Sequence, residues 1–145
     1  MKTKLIQNNS NDLVVFLTGW GCDDNQFKNF SSSKNLLLCR DYSTLDFEFD
    51  FSKYNKVSLL AYSAGVLIAC LLQDKFPEFD KKVAVNGNPL MTDKKFGISQ
   101  EIIDLMLNLN LDNCMDFIST FVLLKNASHH TPFLRFSFTD ELFSL

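Results

Sequence analysis

The segment Val57-Ser58-Leu59-Leu60-Ala61-Tyr62-Ser63-Ala64-Gly65-Val66 constrains this chain more than any other. An apolar run of strand length stops at a serine set among small residues, and an apolar helical pattern follows. A strand that passes straight into a helix needs a tight turn, and the residue at the turn takes strained backbone angles. Small neighbours let that turn close. The Gly-x-Ser-x-Gly pattern of a nucleophile elbow is met here as Ala61-Tyr62-Ser63-Ala64-Gly65, with alanine in place of the first glycine. A serine in that position presents its hydroxyl at the end of a sheet, where it can attack a substrate. The plain alternative is an ordinary buried serine, and other segments must decide between the two.

A second apolar run, Val14-Val15-Phe16-Leu17-Thr18, is closed by Gly19-Trp20-Gly21 and followed by Cys22 and Asp23. Glycines on both sides of Trp20 permit a sharp turn and a close backbone approach to a bound carbonyl. With Ser63 as nucleophile, the backbone N–H groups of Trp20 and Ala64 become the expected oxyanion hole. Without it, the glycines serve only helix–strand packing. The two histidines, His129 and His130, stand after a β-like run at residues 120–124. A nucleophilic serine needs a base that takes its proton and returns it to the leaving group. Their position after the last recognisable strand suits one of them to that role. Two polar loop residues are the alternative.

Four blocks together resemble one family: 16–23 (Phe-Leu-Thr-Gly-Trp-Gly-Cys-Asp), 61–66 (Ala-Tyr-Ser-Ala-Gly-Val), 84–90 (Ala-Val-Asn-Gly-Asn-Pro-Leu) and 130–136 (His-Thr-Pro-Phe-Leu-Arg-Phe). They are similar to the BioG-type esterases, α/β-hydrolases that cleave the methyl ester of pimeloyl-acyl carrier protein in the making of the biotin precursor. The resemblance implies Ser63 as nucleophile, Trp20 and Ala64 as oxyanion donors, and acyl carrier protein as the partner that brings the substrate. It favours His130 over His129, because the family's histidine precedes an aromatic-Pro-Phe sequence. Here Thr131 stands at the aromatic position.

Members of that family are longer. The difference falls between about Leu111 and Thr120, where they have a helical lid and then a strand whose following loop carries the catalytic acid. The comparison therefore implies an internal deletion of the lid and acid-bearing segment. Asp112 and Asp116 lie between Ser63 and His130 in chain order, but in a helical pattern unsuited to the acid. Loss of the acid lowers turnover roughly ten-thousandfold in a serine protease. Two readings follow: a serine carboxylesterase acting on pimeloyl-acyl carrier protein methyl ester, or a catalytically impaired, hydrolase-like remnant.

Composition is consistent with one domain over residues 1–145. At 145 residues and 46% hydrophobic content, the chain can build a single core burying about two-thirds of its unfolded surface. Cys22, Cys39, Cys70 and Cys114 show no paired metal spacing and read as reduced thiols of a cytoplasmic protein. A packing role is expected for Cys22. No motif for a metal, a phosphate or another cofactor stands out, and no apolar run is long enough for a membrane span. A net charge of −3 argues against nucleic acid. Lys81-Lys82, Lys94-Lys95 and Arg135 are basic spots that suit an acidic carrier protein, or simply solvent.

The pattern along the chain predicts an α/β fold, a shortened α/β-hydrolase-like three-layer arrangement with a mainly parallel sheet. Residues 4–7 and 13–18 are expected to pair as a hairpin through the polar turn at 8–11. Asp23 or Asp24 is expected to cap a short helix ending near Phe30. Further strands are expected at 36–40, 57–62, 83–86 and 120–124, and residues 45–51 as a half-buried, extended connection. Helices are expected at 64–76 and, capped by Ser99, to about Asn108, with a closing turn capped by Thr139.

Overall fold

In the computed structural model, residues 1–27, 32–110 and 113 are described. The chain divides into two compact units, the first built on Met1–Met91 and the second beginning at Thr92. The first unit carries five strands: β1 (Lys2–Ile6), β2 (Asp12–Leu17), β3 (Asn35–Arg40), β4 (Lys56–Tyr62) and β5 (Lys81–Val85). Their order in the sheet is β1-β3-β2-β4-β5. The β1–β3 pair is antiparallel, and β2–β3, β2–β4 and β4–β5 are parallel. Helix α1 (Ala64–Leu71) follows β4 directly, and α2 (Gln100–Leu107) lies in the second unit. This is an α/β fold with a mostly parallel sheet.

The expected hairpin between the first two runs does not form. β1 pairs with β3 instead, with Leu5 opposite Leu37. The physical reason lies in burial. Residues 13–17 are all buried, and a strand covered on both faces belongs in the middle of a parallel sheet, not in a two-stranded ribbon. β1 carries Lys2 and Lys4, is largely exposed, and sits at the edge of the sheet among the described residues. Asn35 fixes the crossing between β1 and β2. Its side-chain oxygen accepts the Asn8 N–H at 2.8 Å and its amide donates to the Ser10 carbonyl at 2.5 Å.

Alternate residues of the central strands feed two apolar layers. Leu13, Val15, Leu17, Leu37, Leu59 and Ala61 face one way and pack with Val66, Ile68 and Leu72 of the α1 segment. Val14, Phe16, Leu36, Leu38 and Leu60 face the other way, with Phe27 edge-on to Phe16 at 5.4 Å between ring centroids. Residues 45–51 form no strand, as expected of a connection. Phe47 is buried from it and packs on Phe76 at 5.1 Å.

One helix boundary departs from expectation. α1 stops at Leu71, and Gln73–Lys75 tightens into a 3-10 turn, short of the continuous helix to Phe76. Phe76 is extended, at φ −98° and ψ 153°, as the residue before Pro77 must be. After Gly21-Cys22 the described residues form a 3-10 turn at Asp24–Phe27, the expected end near Phe30 lying outside them. The Asp24 carboxylate is spent on Arg40 Nε at 2.5 Å and Lys4 Nζ at 3.3 Å. Ser99 does occupy the N-cap of α2 but makes no side-chain cap bond; its hydroxyl meets the Glu101 carboxylate. The expected strand at 120–124, the lid region at 111–120 and the turn at Thr139 lie outside the described residues.

Candidate active site

The connections of the sheet reverse direction between β2 and β4. From β2 the chain leads to β3 on one side; from β4 it leads to β5 on the other. In an open α/β sheet, the crevice at the carboxyl ends of two such strands is where ligands bind. Leu17 ends β2 there and Tyr62 ends β4. The Gly19-Trp20-Gly21 loop and Ser63 therefore leave the sheet side by side.

Ser63 stands at φ 53° and ψ −120°, a backbone state that side chains rarely adopt. Two hydrogen bonds hold it there. Its N–H donates to the Val85 carbonyl at 2.9 Å, and its carbonyl accepts the Val66 N–H at 3.0 Å. It precedes the first turn of α1 without capping it, so its hydroxyl is not used on the helix. The positive end of the helix dipole points at this position.

Close packing explains the small residues around it. A side chain on Gly65 would run into the Leu17 carbonyl and come within 2.9 Å of the Thr18 oxygen. One on Gly87 would meet the Ser63 carbonyl and sit 2.7 Å from Val66 Cγ2. One on Gly19 would lie 3.3 Å from Ser63 Cβ and 3.0 Å from the Tyr62 ring. So the loop after β2 touches the serine turn. Gly21, at φ +74°, completes the reversal of that loop.

Neither the Trp20 nor the Ala64 N–H donates to a backbone carbonyl among the bonds between described residues outside helices and strands. That is expected for Ala64, in the first turn of a helix. Ala64 directly follows Ser63, and Trp20 follows Gly19, which packs against the serine turn. The Trp20 side chain is 58% exposed. Beside it a cavity of about 520 Å³ opens between residues 19–22 and residues 40–43.

Three residues support this arrangement: Tyr62 and Tyr42, which sequence patterns did not single out, and Cys22, for which a packing role was expected. The Tyr62 ring lies against Gly19 and its hydroxyl hydrogen-bonds the Asn86 side chain, so it braces the loops on both sides of the serine. Its place between Ala61 and Ser63 was the available signal. Tyr42 reaches the end of β2 from the loop after β3, and its hydroxyl donates to the Thr18 carbonyl at 2.8 Å. Cys22 packs inside the loop, hydrogen-bonded to the Gly19 backbone and the Thr18 hydroxyl; burial pushes its thiol above the usual range, which suits packing and not thiolate chemistry. His129, His130, Asp112, Asp116 and Arg135 lie outside the described residues. No group of three or more metal-ligating side chains occurs among the described residues. Among them, no helix is long and apolar enough to cross a membrane.

Fold and site together define an α/β protein with a serine on a strained strand-to-helix turn at the switch point of its sheet. Residues 1–137 match the family described as pimeloyl-ACP methyl esterase BioG, and the chain belongs to that family. It is similar to the crystal structure of BioG from Haemophilus influenzae, with a TM-score of 0.71 and 31% identity over 82% of this chain and 56% of that one. An uncharacterized protein of Haemophilus influenzae is 34% identical over 104 residues, covering 70% of this chain and 48% of the relative. A malonyl-[acyl-carrier protein] O-methyltransferase of Bacteroides fragilis is 34% identical over 100 residues, covering 67% of this chain and only 20% of the relative. The chain thus spans about half the length of the first relative, and a smaller part of the second.

Proposed function

We propose that this chain is a serine carboxylesterase of the α/β-hydrolase type that hydrolyses the methyl ester of pimeloyl-acyl carrier protein, in the synthesis of the pimelate part of biotin. The observation that carries the reading is Ser63 at φ 53°, held beside the Gly19-Trp20 loop at the switch point of the sheet. Membership of the BioG family supports this choice of substrate. Ser63 Oγ attacks the ester carbonyl as His130 takes its proton. The N–H groups of Trp20 and Ala64 hold the oxyanion that forms, and the collapse of the tetrahedral intermediate expels methanol, which takes the proton back from His130. Water then attacks the acyl-enzyme with the same base and releases the free acid. Such a pair of donors is worth on the order of a hundred- to a thousandfold in turnover for each donor.

The carrier protein is the proposed partner. Lys81, Lys82, Lys94 and Lys95 are all exposed, as contacts to an acidic protein must be before it arrives. A second reading has its own support: the matches cover 48% and 56% of two relatives, so the acid that orients His130 need not be present. On that reading the chain keeps the elbow and turns over slowly. Hydrolysis of methyl-pimeloyl-acyl carrier protein, followed by mass spectrometry alongside Ser63→Ala, separates the two. Loss of the methyl group that disappears in the variant supports the esterase. Equal, background-level loss from both folded proteins supports the remnant.

A further inference from the structure

The ends of β2 and β3 meet at one phenol. Tyr42 Oη donates to the Thr18 carbonyl at 2.8 Å and to the Cys39 carbonyl at 3.0 Å. The Cys39 carbonyl also accepts the Thr18 N–H at 3.0 Å. A single hydroxyl proton thus bridges the two carbonyls at the point where β2 turns into the Gly19-Trp20-Gly21 loop. Thr18 is wholly buried, and its carbonyl faces the glycine gap at Gly65. A buried carbonyl without a donor is costly.

We propose that Tyr42 is a positioning residue for the oxyanion hole: by holding the Thr18 carbonyl it sets the Thr18–Gly19 peptide and, through Gly19, the direction of the Trp20 N–H. The inference rests on Trp20 as an oxyanion donor. A peptide unit is planar, so fixing the Thr18 carbonyl fixes the Gly19 N–H. The Trp20 N–H lies one peptide further on, and its direction follows from this anchor through the two dihedrals of Gly19. Beyond Thr18 the loop is also held by Cys22, which hydrogen-bonds the Gly19 backbone, and by the Tyr62 ring against Gly19. The Thr18 hydroxyl reaches the Gly19 carbonyl at 3.4 Å, long for a hydroxyl bond, and glycine on both sides of Trp20 brings no conformational preference of its own. Burial raises the Tyr42 phenol well above its ordinary range, so it remains a neutral donor throughout the pH range of an assay.

Tyr42→Phe removes the proton and keeps the ring that packs on the core. The expected result is a kcat about tenfold lower with KM within about twofold, less than the hundred- to thousandfold loss for deleting a donor outright. In parallel, the ¹⁵N order parameters of Gly19 and Trp20 are expected to fall from about 0.85 towards about 0.6, while those of β4 stay at the rigid value. A purely structural role would lower thermal stability and leave both readouts in place. Unchanged order parameters at Gly19 and Trp20 in folded Tyr42→Phe overturn the inference, as does a kcat that matches the wild type. If wild type and Ser63→Ala prove equally inactive, the esterase reading fails by itself, and the order parameters still decide for or against Tyr42.

Discussion

A serine with a β-carbon at φ 53° and ψ −120° costs about 1–3 kcal/mol of backbone strain, which only the surrounding packing sustains. Glycine relieves that strain and alanine does not. Ser63→Gly is therefore expected to be more stable than Ser63→Ala by about 1 kcal/mol, measured as a higher urea midpoint at unchanged slope. The thiols give a second expectation at this scale. Burial pushes Cys39 up to about 12 and raises Cys22, whereas Cys70 is exposed. Peptide mapping after brief iodoacetamide treatment of the folded protein at pH 8 should find Cys70 alkylated well before Cys22 and Cys39. Serine, glycine and tryptophan at the site were legible in the sequence because a tight turn and a close backbone approach restrict residue type at fixed spacing. Tyr42 was not. A phenol that bonds a carbonyl 24 positions away leaves no local pattern, and its role emerges only when β3 is laid beside β2.

The elbow helix and the strands meet with no tolerance at Gly65. Alanine there forces the helix away from the end of β2, and Gly65→Ala is expected to lose about 1–3 kcal/mol in urea denaturation. The edge strand behaves differently. Hydrogen bonds from Lys2 and Ser43 hold Asp41 down to about 2, against an ordinary value of 3.8. A carboxyl whose value is lowered by folding stabilises the fold above pH 4 and stops doing so as pH falls towards 2. The difference in urea midpoint between wild type and Asp41→Asn should be present at pH 6 and close as pH drops from about 4 to about 2. It should be small throughout and smaller in high salt, because the pair is exposed. The position of β1 was the element misjudged from sequence. A four-residue polar turn between two extended runs is a hairpin signal, but the burial of β2 on both faces outweighs it. That burial depends on β3 and β4, which come later in the chain.

Over the whole molecule, the order of strands is what brings residues 19–21 and Ser63 together. The mainly parallel α/β layout was legible as alternation of strand and helix patterns, but the strand order was not. The match covers 48% of one relative, so the proposed docking of a carrier protein rests on what is present: exposed lysines on a protein of net charge −3. If Lys81, Lys82, Lys94 and Lys95 meet the carrier, KM for the carrier-bound ester should rise several-fold between low and high salt. KM for a small uncharged methyl ester should not. Equal responses would remove those lysines from the docking account. The central claim is that Ser63 is an activated nucleophile held in the elbow. Its most direct test is treatment of the folded chain with a fluorophosphonate, followed by intact mass and peptide mapping. One phosphonyl adduct is expected, located on Ser63 and absent from Ser63→Ala. An unmodified protein, or an adduct that persists in Ser63→Ala, would contradict it.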